Sequence, residues 1–193
     1  MEILKGEDYA GETFEGLIIS GLDAREATFS DCTFTKCRFD KADFSGANFS
    51  DCTFESCELS LPDFYRASLN GTKFTDSKLV GADFMKWNAK FFDVAFDVCL
   101  LDTCNFSALK LKRMPFLNST LRDSTFVESI LVEADFAGSD LERALFKGCD
   151  LEKANFIGAK NYSIDVTANT IKGARFSLPE AISLFAALGI ELV

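Results

Sequence analysis

The stretch ADFSGANFSDCTFESCEL, from Ala42 to Leu59, decides the fold of this chain of 193 residues. In it a large apolar residue returns at every fifth position, and a small residue stands two places before each of them. The large residues are Phe44, Phe49, Phe54 and Leu59, and the small ones are Ala42, Ala47, Cys52 and Cys57. This period matches neither the roughly 3.6 residues of an amphipathic helix nor the roughly two of a half-buried strand. A fixed period of this kind predicts a repeat solenoid.

The five-residue frame extends far beyond this stretch. It runs without a break from Phe14 to Phe84, and it resumes at Phe91 and continues to Phe156. The step from Phe84 to Phe91 is seven residues, so we place a two-residue insertion within 85–88. Of the 21 Phe residues, 18 occupy the large position, and this majority fixes the frame.

The pattern resembles that of the pentapeptide-repeat family over roughly residues 9 to 160. The resemblance implies an all-β fold, a right-handed quadrilateral β-helix in which four units form one coil and positions 20 apart stack. Steps of 20, and of 22 across the insertion, connect only Phe residues: Phe14, Phe34, Phe54, Phe74, Phe96, Phe116, Phe136 and Phe156. The insertion therefore predicts a small bulged loop at one corner. We divide the chain into a solenoid, 1–176, and a C-terminal capping and dimerisation helix with its tail, 177–193.

Composition limits the classes of function. The chain has 30 acidic and 20 basic residues, for a formal net charge of −10. Such a balance argues against direct binding of nucleic acid, which requires a basic patch. The start, MEILKGED, is charged and lacks the apolar run of a secretory signal. The sequence also lacks an apolar stretch of about 18 residues that could span a bilayer. We therefore expect a cytoplasmic protein that does not bind membranes.

Seven cysteines raise the question of a metal site or disulfides. Each of them falls two residues before a large position, in the slot that elsewhere holds Ala, Ser or Thr. Small buried thiols often fill core space in this way. The chain has no His, which many zinc sites use. We therefore expect packing and no cofactor, although stacked pairs such as Cys32 and Cys52 could reach disulfide distance if oxidised.

The segment SLPEAISLFAALG predicts a C-terminal α-helix. Ser177 is the expected N-cap, Glu180 completes a capping box and Gly189 suits the C-terminal stop. The helix is apolar on nearly every side, so one side can cap the last coil while the remainder needs a further partner. A homodimer through this helix is one solution. The other is a monomer in which the tail, 190–193, folds over the helix. The predicted dimer interface consists of Ile182, Leu184, Phe185, Leu188 and Ile190.

The surface offers no catalytic constellation. The chain contains no His as a general base, no phosphate-cradling Gly-rich loop and no nucleophile elbow. A square rod also lacks the concave cleft in which paired acids act. We therefore expect a protein that is not an enzyme.

The position of each residue within the five-residue repeat reveals a column of carboxylates. Asp23, Asp43, Asp63 and Asp83 are 20 apart, and each stands directly before a large position. Stacked coils would separate them by roughly 4.8 Å. A neighbouring column holds Asp31 and Asp51, and Asp93 follows after the insertion.

Two interpretations of these columns remain open. Regularly spaced carboxylates could imitate the phosphates of duplex DNA, which follow each other at about 3.4 Å along each strand. Alternatively, the carboxylates are solvated or accept turn amides, and Arg25, Arg66 and Lys86 partly neutralise them. Lys110, Lys112 and Arg113 form a basic patch on another face. Lys86 and Trp87 are candidate loop contacts, although Trp87 could equally pack back on the coil.

Both ends resemble the gyrase-interacting branch of the family, of the albicidin-resistance and Qnr types. The resemblance rests on DYAGETFEGL at the start and on NYSIDVTANTIKGARFSLPEAISLFAALGIELV at the end. It implies a homodimer through the C-terminal helix that mimics DNA, binds DNA gyrase or topoisomerase IV, and lessens the effect of topoisomerase poisons. Many Qnr proteins carry longer projecting loops, whereas this chain has only the two-residue insertion. The alternative function is a scaffolding solenoid with an unrelated protein partner.

Overall fold

A computed structural model describes residues 3–86 and 92–190, which form a solenoid of mostly parallel strands with about 8 turns. The predicted fold class, an all-β right-handed quadrilateral β-helix with a C-terminal helix, is confirmed. Within the described residues, no helix is long and apolar enough to cross a membrane. The division of the chain at residue 176 stays a prediction.

Short parallel strands build the walls of the solenoid. Their bounds are β1 (Asp8–Ala10), β2 (Thr13–Glu15), β3 (Ile18–Ser20), β4 (Thr28–Ser30), β5 (Thr33–Thr35), β6 (Arg38–Asp40), β7 (Asn48–Ser50), β8 (Thr53–Glu55), β9 (Glu58–Ser60), β10 (Ser68–Thr75), β11 (Lys78–Val80), β12 (Phe92–Asp97), β13 (Leu100–Asp102), β14 (Phe116–Leu117), β15 (Asn155–Phe156) and β16 (Arg175–Phe176). One sheet has the order β1-β4-β7-β10-β8-β5-β2, and β12 extends it by pairing with β10 and β14. A second sheet has the order β13-β11-β9-β6-β3, and β15 pairs with β16.

The strand register confirms that positions 20 apart stack. Phe14 pairs with Phe34, and Phe34 pairs with Phe54. Their rings lie parallel, with centroids 4.8 and 4.5 Å apart. Each unit alone cannot bury its ring, but the stack gives each Phe an aromatic neighbour above and below, and this repetition stabilises the rod. The column also continues beyond the expected end of the period, because Phe176 stacks on Phe156 at 5.0 Å.

The register begins to change at Lys86. The corner N–H of Gly46 donates to the carbonyl of Tyr65, 19 residues on, whereas the N–H of Arg66 donates to that of Lys86, 20 residues on, at 2.9 Å. Beyond the short 3₁₀ turn Phe84–Lys86, Thr72 pairs with Val94, and the offset between paired residues has become 22 instead of 20. The sequence placed the extra residues within 85–88. Lys86 shows the first one-residue shift, and 87 and 88 lie outside the described residues.

A left-handed backbone conformation recurs at the corners, two residues after the large position. Non-glycine residues adopt it there with φ between 48° at Leu61 and 61° at Glu26. Only a few per cent of non-glycine residues have a positive φ in ordinary proteins. The coil geometry imposes this conformation on whichever residue stands at the corner, including the β-branched Val98 at 56°.

The C-terminal helix, Glu180–Leu188, is a 3₁₀-helix. The backbone N–H of Ile182 donates to the carbonyl of Pro179 at 3.0 Å, an i to i−3 bond. Gly189 ends the helix in the left-handed conformation at φ 64°, which confirms the predicted stop. The predicted capping box is wrong, because no side chain caps the N-terminus and the Ser177 hydroxyl accepts the N–H of Gly158 instead.

The cysteines lie in the core, as their phase predicted. All seven are buried free thiols. Their Sγ atoms reach backbone carbonyls of the preceding coil; Cys37 donates to Phe14 at 3.3 Å and Cys57 to Phe34 at 3.2 Å. Burial raises the pKa of the Cys52 thiol to about 12, which keeps it protonated and unreactive.

Candidate partner-binding site

The acidic column, Asp23, Asp43, Asp63 and Asp83, lies along one face of the rod. Parallel backbone bridges connect Asp23 with Asp43 and Asp43 with Asp63. A further run of bridges connects Asp83 with Asn105 and then Thr125, so the column becomes neutral beyond the insertion. The alignment follows from the core, because each Asp directly precedes a buried core residue, Ala24 or one of the stacked rings of Phe44, Phe64 and Phe84.

The carboxylates of this column accept hydrogen bonds from the turns that follow them. Asp43 Oδ1 accepts the backbone N–H of Ser45 at 2.9 Å, and Asp63 Oδ1 accepts that of Tyr65 at the same distance. These are Asx turns, a local role that Asp and Asn share. One oxygen of each carboxyl group therefore has a structural partner, as the second interpretation of the column expected.

Cations stand at both ends of the acidic column. Arg25 donates to both carboxylate oxygens of Asp23, at 2.8 and 2.6 Å, and its Nε lies 3.6 Å from Asp43. This guanidinium lowers the pKa of Asp23 to about 2. Lys86 pairs with Asp83 at 3.1 Å, and that carboxylate raises the pKa of Lys86. Such exposed pairs contribute little to stability, but they reduce the negative potential locally.

Arg66 does not neutralise the column as expected. Its guanidinium carbon lies 5.0 Å from the ring centroid of Tyr65, in a cation–π arrangement. Within the described part of the chain, no cation forms an ion pair with Asp63. Asp63 therefore differs from Asp23, Asp43 and Asp83, each of which has a cation within ion-pair distance, although Lys86 also interacts with Asp63 electrostatically.

The neighbouring column is interrupted after two coils. Asp31 and Asp51 occupy successive corners, both exposed and both with φ 53°. The next corner holds Gly71. Asp93 was expected to continue this column after the insertion, and this stays a prediction. It lies in β12 directly before Val94, which pairs with Thr72, and it shares a shallow concave surface with Lys110 and Arg113.

The predicted basic patch does form on this other part of the surface. Lys110, Lys112 and Arg113 are exposed, and none of them forms an ion pair with another described residue. Trp87, the other candidate loop contact beside Lys86, lies outside the described residues.

The C-terminal helix presents a narrow apolar stripe. Side chains three residues apart align on a 3₁₀-helix, and Ile182, Phe185 and Leu188 are 47%, 41% and 50% exposed. Ile190, just after the helix, is 49% exposed. Leu184 is half-buried and packs against the core. It therefore caps the last coil rather than facing a partner, in contrast to its predicted place in the interface.

Sequence reasoning missed Leu178. It directly precedes the helix and is 77% exposed, the most exposed of the large apolar residues described. The signal that could have found it is its place in the sequence, where it is a large apolar residue directly before the helix.

A family model described as the pentapeptide repeat region matches residues 12–84, 47–124 and 87–156, more than half of the chain. The chain belongs to the pentapeptide-repeat family. No curated protein matches the sequence closely enough to count as a relative.

Several solved structures share the fold. A trypsin-treated variant of QnrB1, a plasmid-mediated fluoroquinolone resistance protein, is 24% identical over 100% of both chains, with a TM-score of 0.61. Another trypsin-treated QnrB1 variant is 23% identical over 96% of this chain and 100% of the other, with a TM-score of 0.51. HetL, a pentapeptide repeat protein involved in heterocyst differentiation regulation in the cyanobacterium Nostoc, is 18% identical over 90% of this chain and 87% of its own, with a TM-score of 0.57. At these identities the likeness concerns the fold alone.

Proposed function

We propose that this pentapeptide-repeat protein binds DNA gyrase or topoisomerase IV as a mimic of DNA and protects it from topoisomerase poisons. The observation that carries the proposal is the stacked acidic column, in which Asp63 has no ion pair within the described residues. The proposed role is binding without a catalytic step. The protein would act in the cytoplasm, where its DNA-bound partner works.

Charge and spacing support the mimicry. Adjacent coils place carboxylates at intervals of roughly 4.8 Å, comparable to the phosphate spacing of about 3.4 Å along one DNA strand. The whole chain carries a formal net charge of −10. A basic groove shaped for duplex DNA would attract such a rod over a Debye length of roughly 8 Å at physiological salt.

A homodimer through the C-terminal helix is part of this proposal. The stripe of Ile182, Phe185 and Leu188 leaves apolar surface in water at the end of the rod. A two-fold axis through it would bury the same patch of both copies and join two rods end to end. The acidic surface of the dimer would be longer than that of one rod. It would therefore fill more of a long groove that is shaped to bind DNA.

A scaffolding role with an unrelated protein partner is the second candidate. The observation that favours it is the Asx-turn bonding of Asp43 and Asp63, which gives these carboxylates a structural reason to be present. In that case the column is a solvated face, and charge removal would have no effect on gyrase.

A gyrase supercoiling assay with and without a poison tests the proposal. We expect the protein to bind gyrase and to restore supercoiling in the presence of the poison. Replacing Asp43, Asp63 and Asp83 together with Asn should weaken binding by about tenfold and reduce its salt dependence. The fold should survive, because Asn105 in the same column already accepts the N–H of Ser107 in the same turn.

The matched control replaces three acids outside the column with Gln: Glu128 and Glu133, which are exposed, and Glu152, which is half-buried. This variant loses the same net charge and should keep its affinity for gyrase. Equal affinity of both variants and the native chain would mean that the column is only a solvated face. Absence of binding, inhibition and rescue would refute the function itself.

A further inference from the structure

The first coil of the solenoid leaves one edge of its backbone without a strand partner. β1, β2 and β3 each pair with only one strand, that of the following coil, within the described residues. Unpaired strand edges are sites where an additional strand can pair. The opposite end of the rod differs, because the C-terminal helix covers it and Ser183 donates to the carbonyl of Tyr162 there at 3.2 Å.

β3 presents free backbone groups at this edge. The carbonyl of Leu17 accepts the N–H of Arg38, and the N–H of Gly21 donates to Asp40, so these groups point towards the next coil. Alternate residues of a parallel ladder point their backbone groups to opposite sides. Those of Ile18 and Ser20 therefore face away from the rod, and both residues are exposed, Ile18 at 75%.

The core beneath β3 is also incompletely covered. Leu17 and Ile19 are only half-buried, although they occupy the slots that hold Cys37 and Phe39 in the next coil, which are 1% and 0% exposed. Ile3 is buried at 3% and belongs to the core, yet Leu17 and Ile19 keep part of their surface exposed. An apolar side chain from outside would complete the coil over Ile19, as the Phe39 ring does from above.

The charged side chains around the first coil favour a cationic segment as the partner of this edge. Glu7, Asp8, Glu12 and Glu15 are exposed here, and Lys5 is the one cation among residues 3–20. Two copies meeting edge to edge would bring these carboxylates together, which is unfavourable. A segment with Lys or Arg beside its apolar residue would instead complement them.

We propose that the edge of β3 binds an extended, cationic peptide segment of a partner protein by β-strand addition. The segment pairs with the free backbone groups of Ile18 and Ser20 and places one apolar side chain over Leu17 and Ile19. Its flanking Lys or Arg side chains lie near Glu12 and Glu15. This edge is separate from both the acidic column and the C-terminal helix, and it does not depend on the proposed binding of gyrase.

The test uses the full chain and a capped seven-residue peptide of alternating lysine and valine. We expect saturable binding by fluorescence anisotropy and slower hydrogen exchange at the backbone N–H of Ile18 and Ser20. A peptide with glutamate in place of lysine should not bind. A lysine–valine peptide N-methylated on the residues that pair should lose at least about tenfold in affinity, because β-addition relies on main-chain hydrogen bonds.

Two variants of the protein complete the experiment. Ile18→Pro removes the outward N–H, which forms no hydrogen bond to another strand among the described residues, and it should abolish binding while circular dichroism stays unchanged. Should that variant fold poorly, Glu12→Gln with Glu15→Gln should weaken binding, whereas Glu128→Gln with Glu133→Gln should not. Binding that is insensitive to N-methylation would indicate electrostatic adsorption and overturn the proposal. Self-association of the native chain that Ile18→Pro abolishes would also overturn it, since a second copy would then occupy the edge.

Discussion

At the scale of single residues, position within the five-residue unit decides the environment of a side chain. Phe34 and Phe54 are fully buried and stacked, while two residues later Lys36 and Ser56 turn the corner in a left-handed conformation. The corner tolerates almost any residue type because its side chain points outward. The cost of a positive φ nevertheless differs between residue types, being greatest for β-branched ones.

Val98→Asn should stabilise the protein. Val98 is 53% exposed and has φ 56°, so it gains little from burial while it holds a strained backbone. Asn adopts this conformation more readily, and we expect the free energy of unfolding to rise by about 0.5–1 kcal/mol. Urea denaturation followed by circular dichroism measures it. Val127→Asn, outside the left-handed corners, is the control and should not stabilise; a gain there as large as at Val98 would contradict the argument.

The ion pair of Asp23 and Arg25 predicts a specific pH dependence. Arg25 lowers the pKa of Asp23 from 3.8 to about 2 in the folded protein. Because the folded pKa is depressed, the stability that the pair contributes is fully present above pH 3.8 and is lost as pH falls through about 2. Carboxyl-carbon NMR titration should give this low pKa, and Arg25→Gln should return it towards 3.8.

Asp165 provides the internal control for that titration. Its pKa is lowered by the hydroxyl and backbone N–H of Thr167, far from Arg25 in sequence. Arg25→Gln should therefore leave the pKa of Asp165 unchanged. A native pKa near 3.8 for Asp23 would show that the pair does not persist in solution.

Sequence phase alone predicted which residues stack, but it could not predict the partners of outward side chains. The burial of Cys52 and the alignment of Asp43 with Asp63 follow from a strict period, since the core fixes both. Arg66 was expected beside the acidic column and instead lies over Tyr65. A long exposed side chain can contact several neighbours with similar energies, and the five-residue period does not indicate which contact it makes.

At the scale of elements, the C-terminal helix shows how local geometry changes an interface. As an α-helix the segment would have been apolar nearly all round, and Leu184 was therefore placed in the dimer interface. The 3₁₀ geometry instead separates an inward row, with Ala181 and Leu184, from the outward stripe of Ile182, Phe185 and Leu188. The C-terminal end of the helix was predictable from Gly189, whereas the choice between i−3 and i−4 bonding depends on how the segment docks on the last coil.

Phe185→Asp should separate the proposed dimer. It introduces a charge into the centre of the apolar stripe, and burying that charge at a two-fold interface costs several kcal/mol. Sedimentation velocity at low micromolar concentration should show a dimer for the native chain and a monomer for the variant. Leu184→Ala is the matched control: it should remain dimeric but lose about 1–3 kcal/mol of stability, because it removes packing under the helix. A native chain that sediments as a monomer would end the dimer proposal.

At the scale of the whole molecule, the solenoid is a one-dimensional stack in which each coil contacts only its neighbours. Its two ends are not equivalent, since the C-terminal helix covers one end, whereas the strands of the first coil have no second partner within residues 3–86 and 92–190 at the other. Signals for the C-terminal cap are clear in the sequence, whereas an N-terminal cap is not obvious there. This agrees with the incomplete burial of Leu17 and Ile19, which no described residue covers fully on the side of β3.

This asymmetry predicts that the rod opens from its first coil. Stability in such stacks is a sum of coil and interface contributions, so an end coil can unfold without the rest. Ile19→Ala should increase hydrogen exchange mainly within residues 8–20 and leave the central coils unchanged.

Phe116→Ala, in a fully buried central stack between Phe96 and Phe136, should instead lower the free energy of unfolding by about 3–5 kcal/mol. Its effect should spread to both sides of the substitution, because every central coil supports two neighbours. Hydrogen exchange measured by mass spectrometry distinguishes the two patterns, and equal, uniform deprotection in both variants would show that the rod unfolds as a single cooperative unit.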